Sequence, residues 1–282
     1  MKMKFLQTTV VIAGIAIANM ATAQKVNLVF AKGQKISQET TIESKTAFSV
    51  MGNDMENSVK SVGTTVLEVT EQTKDATDVK VSNVKAKLNM VSMGNDLDYD
   101  SEKKDKSPLS EGMSKIMGQS ITATIDKNGS IVKETTLELD EMMKQLAASG
   151  AGLNLANANT YYIQSLIGQD IKVGFTWIDS SEIKGDQVKK RINNYTVKSI
   201  EGGIATLAIS SVETTTGTMQ QMGQEMGISG TTKSTGTKKV ALSTGLLMES
   251  DLTSEINLNI DAQGMSIPIT GSSKSKTVTT VN

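Results

Sequence analysis

The chain is 282 residues long, carries 29 Lys+Arg against 30 Asp+Glu, and contains neither cysteine nor histidine. Those absences exclude disulfide scaffolds, thiol nucleophiles, histidine bases and the usual zinc sites, and the balanced charge gives no electrostatic basis for nucleic-acid binding. Aromatic residues make up only 3% of the chain, too few for extended stacking surfaces, while Thr, Ser, Val, Gly and Asn dominate, a β composition rich in turns.

The first residues have the three parts of a secretory signal peptide. Lys2 and Lys4 form the basic start, an apolar run spans Phe5 to Ala18, and Ala21-Thr22-Ala23 supplies a small-residue cleavage pattern that leaves Gln24 as the mature start. The run is short for a spanning helix, and no later stretch has that apolar length. The absence of cysteine excludes a lipid anchor at the processing site. The expected location is therefore the periplasm or the outer cell envelope.

Strand signals follow at once. Val26, Leu28 and Phe30 alternate, Lys32-Gly33 marks a turn, and β patterns run through Gln34–Val50 and Val59–Thr70. Val79 and Val81 alternate in one phase, and Val84, Ala86, Leu88 and Met90 in the other, which predicts a bulge at Ser82-Asn83. Gly94-Asn95-Asp96 then turns the chain into a short strand around Leu97 and Tyr99.

Two amphipathic helices are expected next. Ser107-Pro108 has the cap-then-proline form, and Leu109, Met113, Ile116 and Met117 share one face. Thr135 and Glu138 suit a capping box, followed by Leu139, Met142, Met143, Leu146 and Ala147 at helical spacing. Between them lies a hairpin, 121–125 and 131–133, turned by Asp126-Lys127-Asn128-Gly129. Residues 24–150 thus read as a β-rich half with two helices, 151–172 as a connecting segment or linker, and 173–282 as an antiparallel β half. The most regular alternation, Leu246, Met248, Leu252, Ile256, Leu258 and Ile260, calls for a long strand in a large curved antiparallel sheet or half-barrel. Both halves contain Ile-x-x-x-Ile-Asp-x-x-Gly, at 121–129 and 256–264, compatible with two similar β meanders or with a chance match of hairpins.

Candidate sites are few. Asp96, Asp98, Asp100 and Glu102 alternate along a strand and read as a solvated face before a calcium site. Asp126, Asn128 and Gly129 resemble the opening of a calcium loop, but Leu137 stands where its bidentate glutamate belongs, so a hairpin turn is preferred. The glycine-rich 223–236 stretch lacks phosphate-loop spacing. Met219, Met222 and Met226 offer thioethers that suit a soft metal, although packing or a flexible loop is the simpler account. Trp177, the sole tryptophan, is either a core anchor or a pocket wall. No catalytic residue and no cofactor site is identified.

Lys32-Gly33-Gln34, Tyr99-Asp100-Ser101, Ile167-Gly168, Phe175-Thr176-Trp177, Tyr195-Thr196-Val197, Thr244-Gly245 and the Pro268 region together resemble an uncharacterised family of secreted Bacteroidetes proteins. The resemblance implies an exported β-rich protein and brings no activity with it. The pattern is also similar, at fold level, to half-barrel carriers of the lipoprotein-localisation class, which implies a sheet curled over helices around acyl chains. The resulting expectation is a non-enzymatic exported protein. It would bind an apolar small molecule, lipid or lipidated envelope partner in a groove lined by Leu139, Met142, Met143, Leu146, Met113, Met117 and Trp177. A structural or interaction module with a solid core is the alternative.

Overall fold

The computed structural model describes residues 23–282 except 51, 93–94, 104–106, 140–155, 184, 186, 222–223 and 263. The expected large antiparallel sheet is present. The chain first lays down β1 (Gln24–Lys25), then the long strands β2 (Lys35–Val50), β3 (Asn53–Gln72) and β4 (Ala76–Ser92), and the short β5 (Asn95–Asp100). The helix α1 (Pro108–Met117) precedes the hairpin β6 (Ser120–Asp126) and β7 (Ile131–Glu134). After β8 (Asp170–Ile171) come β9 (Thr176–Ile183), β10 (Gln187–Glu201), β11 (Ile204–Gln221), β12 (Gln224–Ala241), β13 (Leu247–Ala262) and β14 (Met265–Val281). Twelve of these strands form one sheet in the order β7-β6-β4-β3-β2-β14-β13-β12-β11-β10-β9, with β5 on the far half of β4. The first and last long strands, β2 and β14, pair with each other and join the two halves of the chain into one surface.

Local chemistry accounts for most of these elements. Gly202 and Gly203, both at positive φ, make the two-residue turn between β10 and β11 with Glu201 opposite Ile204. In α1, Ser107 Oγ accepts from the Ser110 backbone N–H at 3.2 Å and Pro108 occupies the first turn, as the sequence predicts. The register between β3 and β4 does shift, skipping Val84, one residue beyond the expected bulge. Asn83 is thereby kept on the buried face opposite Thr65. The long 246–260 alternation also breaks once: Val240 pairs with Leu247 and Lys239 with Glu249, so Leu246 and Leu247 are both buried before the period resumes.

The second helix is a correction over its described residues. Thr135 continues the pairing of β6 through its N–H to the Thr122 carbonyl (2.9 Å), and its side chain accepts from the Thr122 N–H (2.8 Å). Gln119 then holds Glu138 at both backbone groups: its side-chain oxygen accepts from the Glu138 N–H (2.8 Å) and its amide donates to the Glu138 carbonyl (2.9 Å). Residues 135–139 are consequently neither helix nor strand, and no capping box forms. The rest of that expected helix, with Met142, Met143 and Leu146, lies outside the described residues.

The core sits against one end of the sheet. Residues 156–171, in the segment expected as a linker, are anchored by fully buried Ala158, Tyr161, Leu166 and Ile171. They pack with Val26 and Phe30 between two apolar clusters, one on β2, β3, β4 and β6 and the other on β10, β11 and β12. This strap also shows how the sheet bends. Gln164 donates to Ser130 Oγ (3.0 Å) in the β6–β7 turn, and the next residue, Ser165, donates to Asp179 Oδ2 (2.6 Å) on β9. Those strands are the two edges of the sheet. Ten inter-strand steps at ~4.8 Å would separate them by ~48 Å if the sheet were flat. Neighbouring residues touch both, so the sheet curls around the strap; β7 and β9 do not pair with each other, and it stays open.

Candidate functional site

The ladder registers place a single set of side chains on the inner, curled face. One row is Arg191, Glu213, Thr232 and Ile256; the next is Asn193, Ser211, Ser234 and Ser254; the next Tyr195, Ile209, Gly236 and Leu252; and the deepest Val197, Leu207, Lys238 and Ser250. The outer face carries the ion pairs that keep it solvated, among them Lys60–Glu43 at 2.8 Å, Lys45–Glu56 at 3.6 Å, and Lys239–Glu249. Such exposed pairs contribute little stability.

Four adjacent strands, β10 to β13, line a partly open cavity of about 250 Å³ on the inner face. Its wall includes Tyr195, Ile209 and Leu252, the hydroxyls of Ser211, Ser234 and Ser254, and the charged Arg191, Glu213 and Lys238. Arg191 Nε donates to Glu213 Oε2 at 2.8 Å, so these two charges are matched. Ser234 and Ser254 share a hydrogen bond of 2.8 Å. Lys238 is different. Among the described residues its ammonium has no ion pair and no hydrogen bond. Burial and the positive charge of Arg191 push its pKa below the usual lysine range, while Asp179 pulls in the opposite direction. Burial drives the Tyr195 phenol well above its ordinary value.

Beyond the cavity the inner face continues toward the far hairpins as half-buried aliphatic and aromatic positions. Ile256, Leu258 and Ile260 of β13 face Gly271, Ile269 and Ile267 of β14, and Ile269 faces Phe48 of β2. None of these residues belongs to the three packed clusters. Their outward neighbours, such as Glu255, Asn257, Ser272 and Lys274, are exposed. Among the described residues no cluster covers this apolar face, and such a face suits contact with an apolar molecule.

Trp177 adjoins the cavity without lining it. It stacks on Tyr195 (centroids 4.6 Å, planes 11° apart) and on Phe175 (5.7 Å), and its indole N–H donates to Ser165 Oγ at 3.1 Å. It is thus an anchor for the strap. Met113 and Leu139 do come together, packed with Leu88, Tyr99, Leu109 and Ile116 where α1 covers β4 and β5, and Met117 lies partly exposed beside them. That assembly is a filled satellite core and not the wall of the cavity. Met219 and Met226 are opposite each other across the β11–β12 hairpin, and Met222 is outside the described residues.

The end of the acidic run is engaged by cations, while Asp96 accepts from the Asn89 side-chain amide at 3.0 Å. Asp100 lies 3.0 Å from Lys87, and Glu102 lies 3.0 Å from Lys85 and 3.3 Å from Lys87. The Glu102 backbone N–H and then Lys87 hold Asp100 below the usual carboxylate range. Asp126 accepts from the N–H groups of Asn128 and Ser130, both at 2.8 Å, as a hairpin turn requires. The cavity residues themselves escape sequence reasoning, because only the inter-strand register reveals that Arg191, Glu213 and Lys238 share one face. Among the described residues no helix is long and apolar enough to cross a membrane.

No family model matches the chain, and no curated protein does. Solved structures are similar at low identity. The lipovitellin structure, determined for its lipid–protein interactions, aligns with 90% of this chain at 11% identity and a TM-score of 0.48. The chain spans 26% of that protein. An outer membrane channel from Pseudomonas putida F1 aligns at 8% identity and a TM-score of 0.23, covering 90% of this chain and 97% of the channel. Pseudomonas aeruginosa OccK7 aligns at 8% identity and a TM-score of 0.24, with 88% and 100% covered.

Proposed function

We propose that this chain is an exported, non-enzymatic envelope protein, of the secreted Bacteroidetes kind it resembles, that holds an apolar ligand against the inner face of its curled sheet. The observation that carries this reading is the aliphatic track Ile256, Leu258 and Ile260 on β13, with Ile267 and Ile269 beside it, which no packed cluster covers among the described residues. In a folded protein such half-buried branched side chains gain roughly 25 cal/mol for each Å² that a ligand removes from water. The open edge between β7 and β9 leaves the curl able to admit a chain-like molecule without unfolding.

The test uses protein freed of lipid by organic extraction and the uncharged dye N-phenyl-1-naphthylamine. Saturable uptake is expected, weakened about tenfold or more in an Ile256→Glu, Leu258→Glu double variant whose circular dichroism is unchanged. Absence of uptake by folded wild-type protein would overturn the reading. It would favour instead an interaction module built on edge strand β9, where Ile178 and Ile183 are 68% and 65% exposed.

A further inference from the structure

The processing pattern and the first rung of the fold meet at one residue. Cleavage after Ala21-Thr22-Ala23 leaves Gln24 at the amino terminus, and β1 begins at that same residue. Ala23, Gln24 and Lys25 are exposed, whereas Val26 is fully buried. Val26 is also held at both backbone groups: its N–H donates to the Gln169 carbonyl (3.0 Å), and its carbonyl accepts from the Gly168 N–H (2.7 Å). A cut between Ala23 and Gln24 therefore takes away no buried side chain among the described residues, and it leaves the new terminus pinned beside the core. Hydrogen-bonded pairs alternate along an antiparallel ladder. With Lys25 opposite Asp170 and Val26 bonded to Gln169, the next pair to exchange bonds is Gln24 and Ile171. The terminal nitrogen needs a single N–H for that rung.

We propose that Gln24 is a modification site, closed to a pyroglutamyl ring once the leader is removed. The inference rests on the export part of the reading above and is independent of any ligand. In the ring closure the α-amino nitrogen attacks Cδ of the Gln24 carboxamide and a new N–C bond forms. The bond from Cδ to Nε2 breaks, and Nε2 takes up the amine proton and leaves as ammonia; no oxidant, reductant or cofactor takes part. The lactam keeps one N–H, enough for the rung to Ile171, and discards an α-ammonium that titrates at about pH 8. The Gln24 side chain is exposed, and no hydrogen bond from the described residues holds its carboxamide away from the amine. A neighbouring start would not serve, because Ala23 and Lys25 have no carboxamide to close. The ring also denies aminopeptidases the free amine they bind, and so guards a strand that leads directly into the buried Val26.

Mass spectrometry of the intact protein and of its amino-terminal peptide, isolated from the native host after expression of the full chain with its leader and measured without storage, decides the matter. The expected species is 24–282, lighter by one ammonia and resistant to aminopeptidase. Gln24→Ala should be cut at the same bond, carry a free amine, show no mass deficit and be open to aminopeptidase. Wild-type 24–282 at full mass overturns the ring while the export reading stands. So does processing at a different bond, or an ammonia deficit that survives in Gln24→Ala and thus belongs to another residue. A chain that retains residues 1–23 overturns both. None of these outcomes touches the dye measurement, so the ligand reading and the modification fall separately, and the wild-type mass needs no variant.

Discussion

Tyr161 is fully buried, and its hydroxyl lies 2.7 Å from Thr65 Oγ1, on the face where the strap meets β3. Burial pushes its phenol up to about 12, and it raises the Tyr162 and Tyr195 phenols as well. The folded state therefore favours the neutral form of all three. Stability from this source is complete below pH 10, the unfolded value, and is lost as pH rises through the folded one. For Tyr161 the shift corresponds to on the order of 3 kcal/mol. Lys238, with its lowered pKa, acts with the opposite sign and becomes less destabilising as it deprotonates. Urea unfolding is expected to show falling stability between pH 10 and pH 12. Tyr161→Phe should be about 1–2 kcal/mol less stable than wild type at pH 8, through loss of the Thr65 partner, yet should lose less on going to pH 11. An equal alkaline loss in both proteins would contradict this. At this scale the sequence was only partly legible. The placement of Trp177 follows from the usual burial of a large aromatic, whereas Lys238 and Lys239 are identical neighbours until the register with Ser250 and Glu249 assigns their faces.

Strands were the most legible elements, because two-residue alternation records directly which side chains enter the core. The β3–β4 bulge fell one residue from its expected place, since the phase change limits it to a short window and pairing with Thr65 decides within that window. The helix at α1 was legible through its local cap. The start of the second was not, because Gln119, 19 residues upstream, competes for the Glu138 backbone, and no local pattern records that competition. One close approach between central strands shows in the sequence only as a glycine. At Gly271, β14 approaches β2 so closely that a Cβ would overlap the Lys45 carbonyl oxygen and lie 2.7 Å from Thr46 Cγ2. Gly271→Ala is accordingly expected to destabilise by about 1–3 kcal/mol, through displaced backbone in the middle of the sheet. Thermal unfolding followed by circular dichroism measures this; a melting temperature unchanged from wild type would show that β2 and β14 yield without penalty.

At the level of the whole molecule, two adjacent residues hold an eleven-strand path in its curl. The Gln164–Ser130 contact spans 34 residues of sequence and the Ser165–Asp179 contact spans 14, and neither leaves a periodic trace, which is why the sheet was legible and the meeting of its edges was not. The strap has to be present for the inner face to be a concavity, because an unrolled sheet would present the same aliphatic row to water. Its fastening is polar and partly exposed, while its interior is apolar. Removing the fastening should therefore loosen the edges before the core. In a Gln164→Ala, Ser165→Ala variant, hydrogen exchange is expected to accelerate about tenfold in β7 and β9, with β2 and β14 at the centre unchanged. Trp177 loses its hydroxyl acceptor in the same variant, and its stacking on Tyr195 should persist because it rests on area and not on the hydrogen bond. Acceleration spread evenly over all strands would mean that the strap stabilises the fold as a whole. Confinement to the two edges would identify it as the closure of an otherwise self-sufficient sheet.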